Sequence, residues 1–175
     1  MKIRKISLAL LSISFLLGGS VFAQKSNVVS AAVAYQSYMR SIMGQNLDKA
    51  KSDLEDAKKY IDPTMTNEDT KDDPKANYYN AVINYSMIEL ASSGKFDDLK
   101  KYVSDSTLDV VAASAKKTEN SSRWNGELKD FFKRKVYQAT TVGKMMFDKK
   151  KYKMAFAGFL GAYKLKKMVG LDKGL

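Results

Sequence analysis

The chain has 175 residues, 45% of them hydrophobic, and a formal net charge of +11 at pH 7. It contains no cysteine, which excludes a small fold held by disulfides, so a packed apolar core must stabilise it. It also contains no histidine, which removes the commonest general base, the commonest metal ligand and every nucleophile arrangement that relies on histidine. The composition therefore argues against an enzyme, and we expect neither a cofactor nor a bound metal.

The first 23 residues have the three parts of a secretory signal peptide. A positively charged start (MKIRK) precedes an apolar run at 6–17, and the small-residue site Val21-Phe22-Ala23 follows. We predict a signal peptide at 1–23 that is cleaved after Ala23, and a periplasmic or secreted location for the mature chain. The alternative is an uncleaved membrane anchor, because the stretch 6–23 is close to the ~20 residues that span a bilayer.

Helical periodicity continues through the rest of the chain, and strand signals are almost absent. The two prolines, Pro63 and Pro74, bound one polar stretch, 62–75, which we predict to be a solvated loop. Seven helices are predicted, at 27–43, 47–61, 74–92, 96–104, 108–116, 124–147 and 152–169. Because short turns join these helices, we expect an all-α fold of antiparallel helical hairpins in a single domain, 24–175.

The last two predicted helices have the clearest pattern. Tyr152, Phe156, Phe159 and Tyr163 step by 4, 3 and 4 residues and so share one helical face, which we predict to pack between helices. If this face is instead exposed, it marks an association site. The alternative hypothesis is then that the chain forms a homodimer through the C-terminal hairpin. Gly143 in the preceding helix costs roughly 1 kcal/mol relative to Ala, so we expect two backbones to approach closely there.

This hairpin resembles a tetratricopeptide repeat (TPR), a 34-residue helix–turn–helix unit with small and large residues at fixed positions. Residues of both helices match the repeat: Val142, Gly143 and Met146 in the first, and Tyr152, Ala155, Phe159 and Ala162 in the second. Two earlier segments are similar to exported TPR proteins of the Bacteroidetes type, namely Asp73-Pro74-Lys75 with Tyr78-Tyr79, and 27–31 with 47–51.

The resemblance implies about three divergent repeats stacked as a short TPR-like α-solenoid, with 105–125 as an insertion. It implies a concave face that binds peptides or partner proteins, and hence a non-enzymatic protein–protein interaction adaptor or scaffold. Five residues of the last hairpin's first helix are implied to line that face: Tyr137, Thr140, Lys144, Phe147 and Asp148. Of these, Lys144 is implied to contact a carboxylate of the partner.

The excess positive charge lies in the last quarter of the chain. Residues 24–130 carry 15 basic and 17 acidic side chains (net −2), whereas 131–175 carry 12 and 2 (net +10). This suggests an alternative function, a helical protein that uses its basic C-terminal region on a membrane surface or polyanion, with weak contact to anionic lipid. The simpler interpretation is that the lysines of this region lie in a solvated turn and at a helix end, where positive charge complements the helix dipole. We expect no binding to nucleic acid, because no nucleic-acid-binding pattern is present.

Overall fold

A computed structural model describes residues 25–171, which form six α-helices and two short 3-10 helices without a β-strand. The α-helices are α1 (25–43), α2 (Leu47–Ile61), α3 (Pro74–Ser92), α4 (Thr107–Thr118), α5 (Ser122–Asp148) and α6 (Tyr152–Met168), and the 3-10 helices are Asp62–Met65 and Asp97–Tyr102. The predicted all-α class is confirmed. The predicted signal peptide lies outside the described residues.

Consecutive α-helices pair as three hairpins, α1–α2, α3–α4 and α5–α6, which stack as a short α-solenoid. The middle helix α3 is the centre of the core, because twelve of its 19 residues are buried. It packs on α1 through Tyr35 and Tyr79, whose ring centroids are 6.4 Å apart, and on α5 through Tyr85 and Phe132, at 5.2 Å. A helix that buries so large a share of its residues lies inside the protein and does not bury only a single apolar stripe.

Local chemistry explains where the helices begin. The carboxylate of Asp73 accepts hydrogen bonds from the backbone N–H groups of Lys75 and Ala76, and Pro74 occupies the first turn of α3. Asn46 caps α2 by accepting from the N–H of Lys49 at 3.1 Å. Each cap satisfies backbone donors that have no partner inside the helix.

The resemblance implied that the segment 105–125 is an insertion, but in the structure this segment belongs to the helical stack. It contains α4, which packs along α3 and buries Val111, Ser114 and Ala115. The predicted helix 96–104 is instead the 3-10 helix Asp97–Tyr102, in which Leu99 alone is buried. One buried apolar side chain cannot form the stripe that an α-helix needs, and α4, with its row of buried residues, takes the position beside α3.

The stretch 62–75 is more ordered than the solvated loop that we predicted. Thr64 and Thr70 are buried within it. The hydroxyl of Thr64 donates to the carbonyl of Ile61 at 2.7 Å, and that of Thr70 donates to the carbonyl of Thr64 at 2.8 Å. These side chains satisfy backbone carbonyls that the folded stretch removes from water.

A polar network crosses the core and joins three helices. The amide of Asn80 on α3 donates to the hydroxyl of Ser114 on α4, and the amide of Asn84 donates to the side-chain oxygen of Asn80, both at 2.8 Å. Lys58 on α2 donates to the side-chain oxygen of Asn84 at 3.1 Å. Buried polar groups that are fully paired in this way restrict how neighbouring helices can dock.

Candidate functional site

A cleft of about 380 Å³ opens between α1, α3 and α5, the first helix of each hairpin. We call it the tyrosine–arginine cleft. Aromatic, methionine and charged side chains line it: Tyr35, Gln36, Met39, Arg40, Met43, Tyr78, Tyr79, Glu127, Phe131 and Arg134. The α1 and α5 residues in this set recur every three or four positions, so each helix presents one face to the cleft.

Packed aromatic rings form the floor of the cleft. The ring of Tyr79 meets those of Tyr35 at 6.4 Å and Tyr78 at 5.0 Å, both edge-on, and Trp124 packs on Tyr78 at 5.3 Å. The hydroxyl of Tyr35 is hydrogen-bonded to that of Ser86 at 3.2 Å. Edge-on contacts between rings add to the stabilisation that burial provides, so this floor is preformed.

The tyrosines of the floor are neutral at physiological pH. Burial raises the pKa of Tyr78 to about 12, helped by the negative charge of Glu127 and opposed by Arg134. Burial also raises the pKa of Tyr35, although the hydrogen bond from Ser86 lowers it in part. A neutral phenol keeps its proton, so the floor offers apolar ring surface and hydroxyl groups rather than negative charge.

Two arginines at the cleft have no carboxylate partner. Arg40 and Arg134 are exposed, and neither guanidinium group makes a hydrogen bond or ion pair with any residue in 25–171. Arg123 differs, because it lies over the ring of Trp124 at 4.6 Å and pairs with Glu127 at 3.2 Å. The one carboxylate that lines the cleft is thus already engaged, and the two free guanidinium groups leave the cleft positively charged.

The five residues that the TPR resemblance implied lie elsewhere on α5. Tyr137, Lys144, Phe147 and Asp148 are exposed, whereas Thr140 is half-buried and its hydroxyl donates to a backbone carbonyl at 2.8 Å. They share one helical face, which begins one turn beyond the last cleft residue of α5. None of them lines the tyrosine–arginine cleft.

The prediction that the aromatic face of α6 packs between helices is wrong for Tyr152, Phe156 and Tyr163. Phe156 is 68% exposed, Tyr163 61% and Tyr152 58%. The residues of α6 that are buried, or that lie against the backbone of α5, are small or aliphatic instead: Ala155, Gly158, Ala162 and Leu165. The ring of Phe159 is the exception among the four aromatic residues, because it lies over Gly143 of α5. Small side chains allow α5 and α6 to approach so closely that the larger rings are displaced to the side of the hairpin.

Sequence reasoning missed the tyrosine–arginine cleft. Its residues come from three helices that are separated by up to about a hundred positions, and an arginine without a partner looks the same in a sequence as a paired one. The adjacent pair Tyr78-Tyr79 was the one available signal, since it stands directly after the Asp-Pro start of α3. In the sequence alone, that pair indicates only the resemblance to TPR proteins.

The fold and the cleft together define an all-α protein of stacked hairpins with a cationic, aromatic groove. In comparisons with known proteins, no family model, no curated protein and no solved structure matches this chain. Within 25–171, no helix is both long and apolar enough to cross a membrane. The same residues contain no group of three or more acidic side chains placed to hold a metal ion.

Proposed function

We propose that this chain is an exported, non-enzymatic adaptor of TPR type that binds another protein in the tyrosine–arginine cleft. The observation that carries the proposal is the pair Arg40 and Arg134, which line one preformed aromatic cleft and whose guanidinium groups have no carboxylate partner in the described chain. A guanidinium group matches the geometry of a carboxylate and forms two parallel hydrogen bonds to it. The partner segment is therefore acidic.

The size and lining of the cleft fit a short peptide segment. Its volume of about 380 Å³ lies in the range of ordinary ligand sites, and it holds only a few side chains. The rings of Tyr78 and Phe131 and the thioethers of Met39 and Met43 provide adaptable apolar contacts. We expect a partner segment in which an aromatic or aliphatic residue stands next to Asp or Glu.

The five α5 residues that the TPR resemblance implied extend this proposal beyond the cleft. Tyr137 follows Arg134 by three residues on the same helix, and Lys144 lies two turns further on. A partner that runs along α5 from the cleft would reach both side chains. Their exposure leaves them free to make such contacts, and the charge of Lys144 suits the same acidic partner.

A peptide array that covers acidic, neutral and basic sequences tests the proposed chemistry. We expect the protein to retain peptides with neighbouring acidic and apolar residues, and to lose them when Arg40 and Arg134 are both changed to Ala. The matched control is Lys59→Ala, because Lys59 is an exposed cation on α2 outside the cleft. Retention of basic peptides, or equal binding by the double variant, would contradict the proposal.

A further inference from the structure

Helix α6 has a second apolar face that no part of the described chain covers. Its inner side is buried through Ala155, Ala162 and Leu165. Its outer side carries the aromatic face, with Phe156 and Tyr163 each more than 60% exposed. Tyr152 and Phe159 of the same face are exposed too, and the exposed ring of Phe147 on α5 packs on Tyr152 with ring centroids 5.5 Å apart. Contiguous apolar surface of this kind marks a place where something binds.

The hairpin that carries the aromatic face is rich in lysines that have no acidic partner. Between 136 and 171, none of the eight lysines forms an ion pair with any described residue: Lys144, Lys149, Lys150, Lys151, Lys153, Lys164, Lys166 and Lys167. Helix α6 contains no Asp or Glu, and Asp148 is the single acidic residue between 131 and 171. Whatever covers the aromatic face must therefore supply negative charge around it.

The lysines stand at the borders of the aromatic face. Helical spacing places Lys153 and Lys164 along one border and Lys166 along the other, with Lys167 near the C-terminal end of α6. Rings that point to an apolar phase while lysine stems reach sideways to charged headgroups are typical of a helix that lies in a membrane interface.

Two other occupants fit these observations less well. A second copy docked through the same face would bring eight unpaired lysines against eight, which like-charge repulsion opposes. A partner helix requires a groove to receive it, and none of the four rings lines the groove that lies beside α6 at Ala157, Gly158 and Gly161. The rings instead project into solvent, and a fluid lipid surface accommodates projecting rings without a matching groove.

We propose that the aromatic face of α6 and its border of lysines dock on a membrane surface that contains anionic phospholipid. The rings enter the interface between headgroups and acyl chains, and the ammonium groups bind lipid phosphates. This inference goes beyond the proposed function, because the residues that test docking, Phe156, Lys153 and Lys164, lie neither in the tyrosine–arginine cleft nor on the face of α5 that extends it. The two proposals can therefore fail independently.

Co-sedimentation with vesicles tests the docking surface, using the protein as it is recovered from the cell. We expect binding to vesicles of phosphatidylcholine with phosphatidylglycerol, and little binding to phosphatidylcholine alone. Changing Lys153 and Lys164 to Gln should weaken binding about 30-fold at low salt. Changing Phe156 to Ser should weaken it on the order of tenfold, because a ring no longer leaves water.

Matched controls separate docking from general charge and from folding. Lys59→Gln with Lys116→Gln removes two exposed lysines that lie outside the last hairpin, and Val33→Ser removes a side chain that is 60% exposed on α1. All variants share the same N-terminal segment, so any binding by that segment cancels in the comparison. Helical circular dichroism verifies that each variant is folded.

A Phe156→Trp variant distinguishes insertion from adsorption at the surface. If the ring enters the bilayer, brominated phosphatidylglycerol quenches the added tryptophan fluorescence, and Trp124 in the unchanged protein is not quenched. The proposal is overturned if anionic vesicles bind no better than neutral ones, if Phe156→Ser binds as the unchanged protein does, or if sedimentation without lipid shows that these residues hold two copies together.

Discussion

Gly158 on α6 lies directly against Gly143 on α5. A Cβ atom placed on Gly158 would come within 3.1 Å of the Cα of Gly143 and within 3.2 Å of the carbonyl oxygen of Ala139. The ring of Phe159 lies over Gly143, at 2.8 Å from the position of its absent Cβ. The expected close approach at Gly143 is therefore confirmed, and its partner is a second glycine.

This contact predicts opposite effects for two glycines of the same helix. Gly158→Ala should destabilise the protein by about 1–3 kcal/mol, because the new methyl group meets backbone that cannot move aside. Gly161→Ala should stabilise it by up to about 1 kcal/mol, since Ala favours helices and nothing lies within 4 Å of the new methyl group. Urea denaturation of both variants measures the difference. Equal stability of the two would refute the close packing.

Gly143→Ala should cost less than Gly158→Ala. The atoms that its methyl group meets belong to the ring of Phe159, which is 38% exposed and can turn toward solvent. The same denaturation experiment ranks the two variants. A larger loss for Gly143→Ala would mean that the ring of Phe159 is held in place more firmly than its exposure indicates.

The polar network predicts a strong dependence of stability on Asn80. Changing Asn80 to Ala removes the donor to Ser114 and one of the two acceptors of the Asn84 amide, and should lower the free energy of unfolding by about 1–3 kcal/mol. Asn120→Ala is the matched control, because Asn120 is exposed and should change stability by less than about 0.5 kcal/mol. Similar losses in the two variants would show that the network contributes nothing specific.

The buried tyrosines predict a loss of stability at alkaline pH. Burial raises the pKa of Tyr38 and of Tyr78 to about 12, whereas an unfolded tyrosine titrates near 10. A raised pKa in the folded state means that the stabilisation is complete below pH 10 and is lost as the pH rises toward 12. Melting temperatures measured across this range should fall, and phenolate absorbance should rise together with unfolding.

Replacement of a single ring isolates this effect. Tyr78→Phe removes one of the groups whose pKa is raised, so the melting temperature of the variant should fall less steeply above pH 10. An unchanged pH profile for Tyr78→Phe would show that ionisation of this ring is not linked to unfolding.

The helix boundaries predicted from the sequence are most accurate where local chemistry decides the structure. The predicted ranges 47–61 and 74–92 agree with α2 and α3, because Asn46 and the Asp73-Pro74 pair begin those helices through contacts within a few residues. Such contacts can be read from neighbouring positions. Helix capping needs no knowledge of the tertiary fold.

Contacts between helices were harder to predict. The spacing of Tyr152, Phe156, Phe159 and Tyr163 correctly placed them on one face, but spacing cannot tell which of two apolar faces is buried. The close contact of Gly158 with Gly143 decided that question in favour of the small residues. For the same reason, the pairing of α4 with α3 and the two unpaired arginines became visible only in the three-dimensional structure.

The most direct test of the proposed adaptor function is to capture a partner from the exported fraction of the host. The captured material is washed at about 0.5 M salt so that exposed charge contacts are screened. We expect a specific protein that the unchanged chain and Lys59→Ala retain, that Arg40→Ala with Arg134→Ala loses, and that Lys144→Ala with Phe147→Ala holds more weakly. If no protein is retained, or if the arginine variant retains the same protein equally well, the tyrosine–arginine cleft is not the binding site and the adaptor function is contradicted.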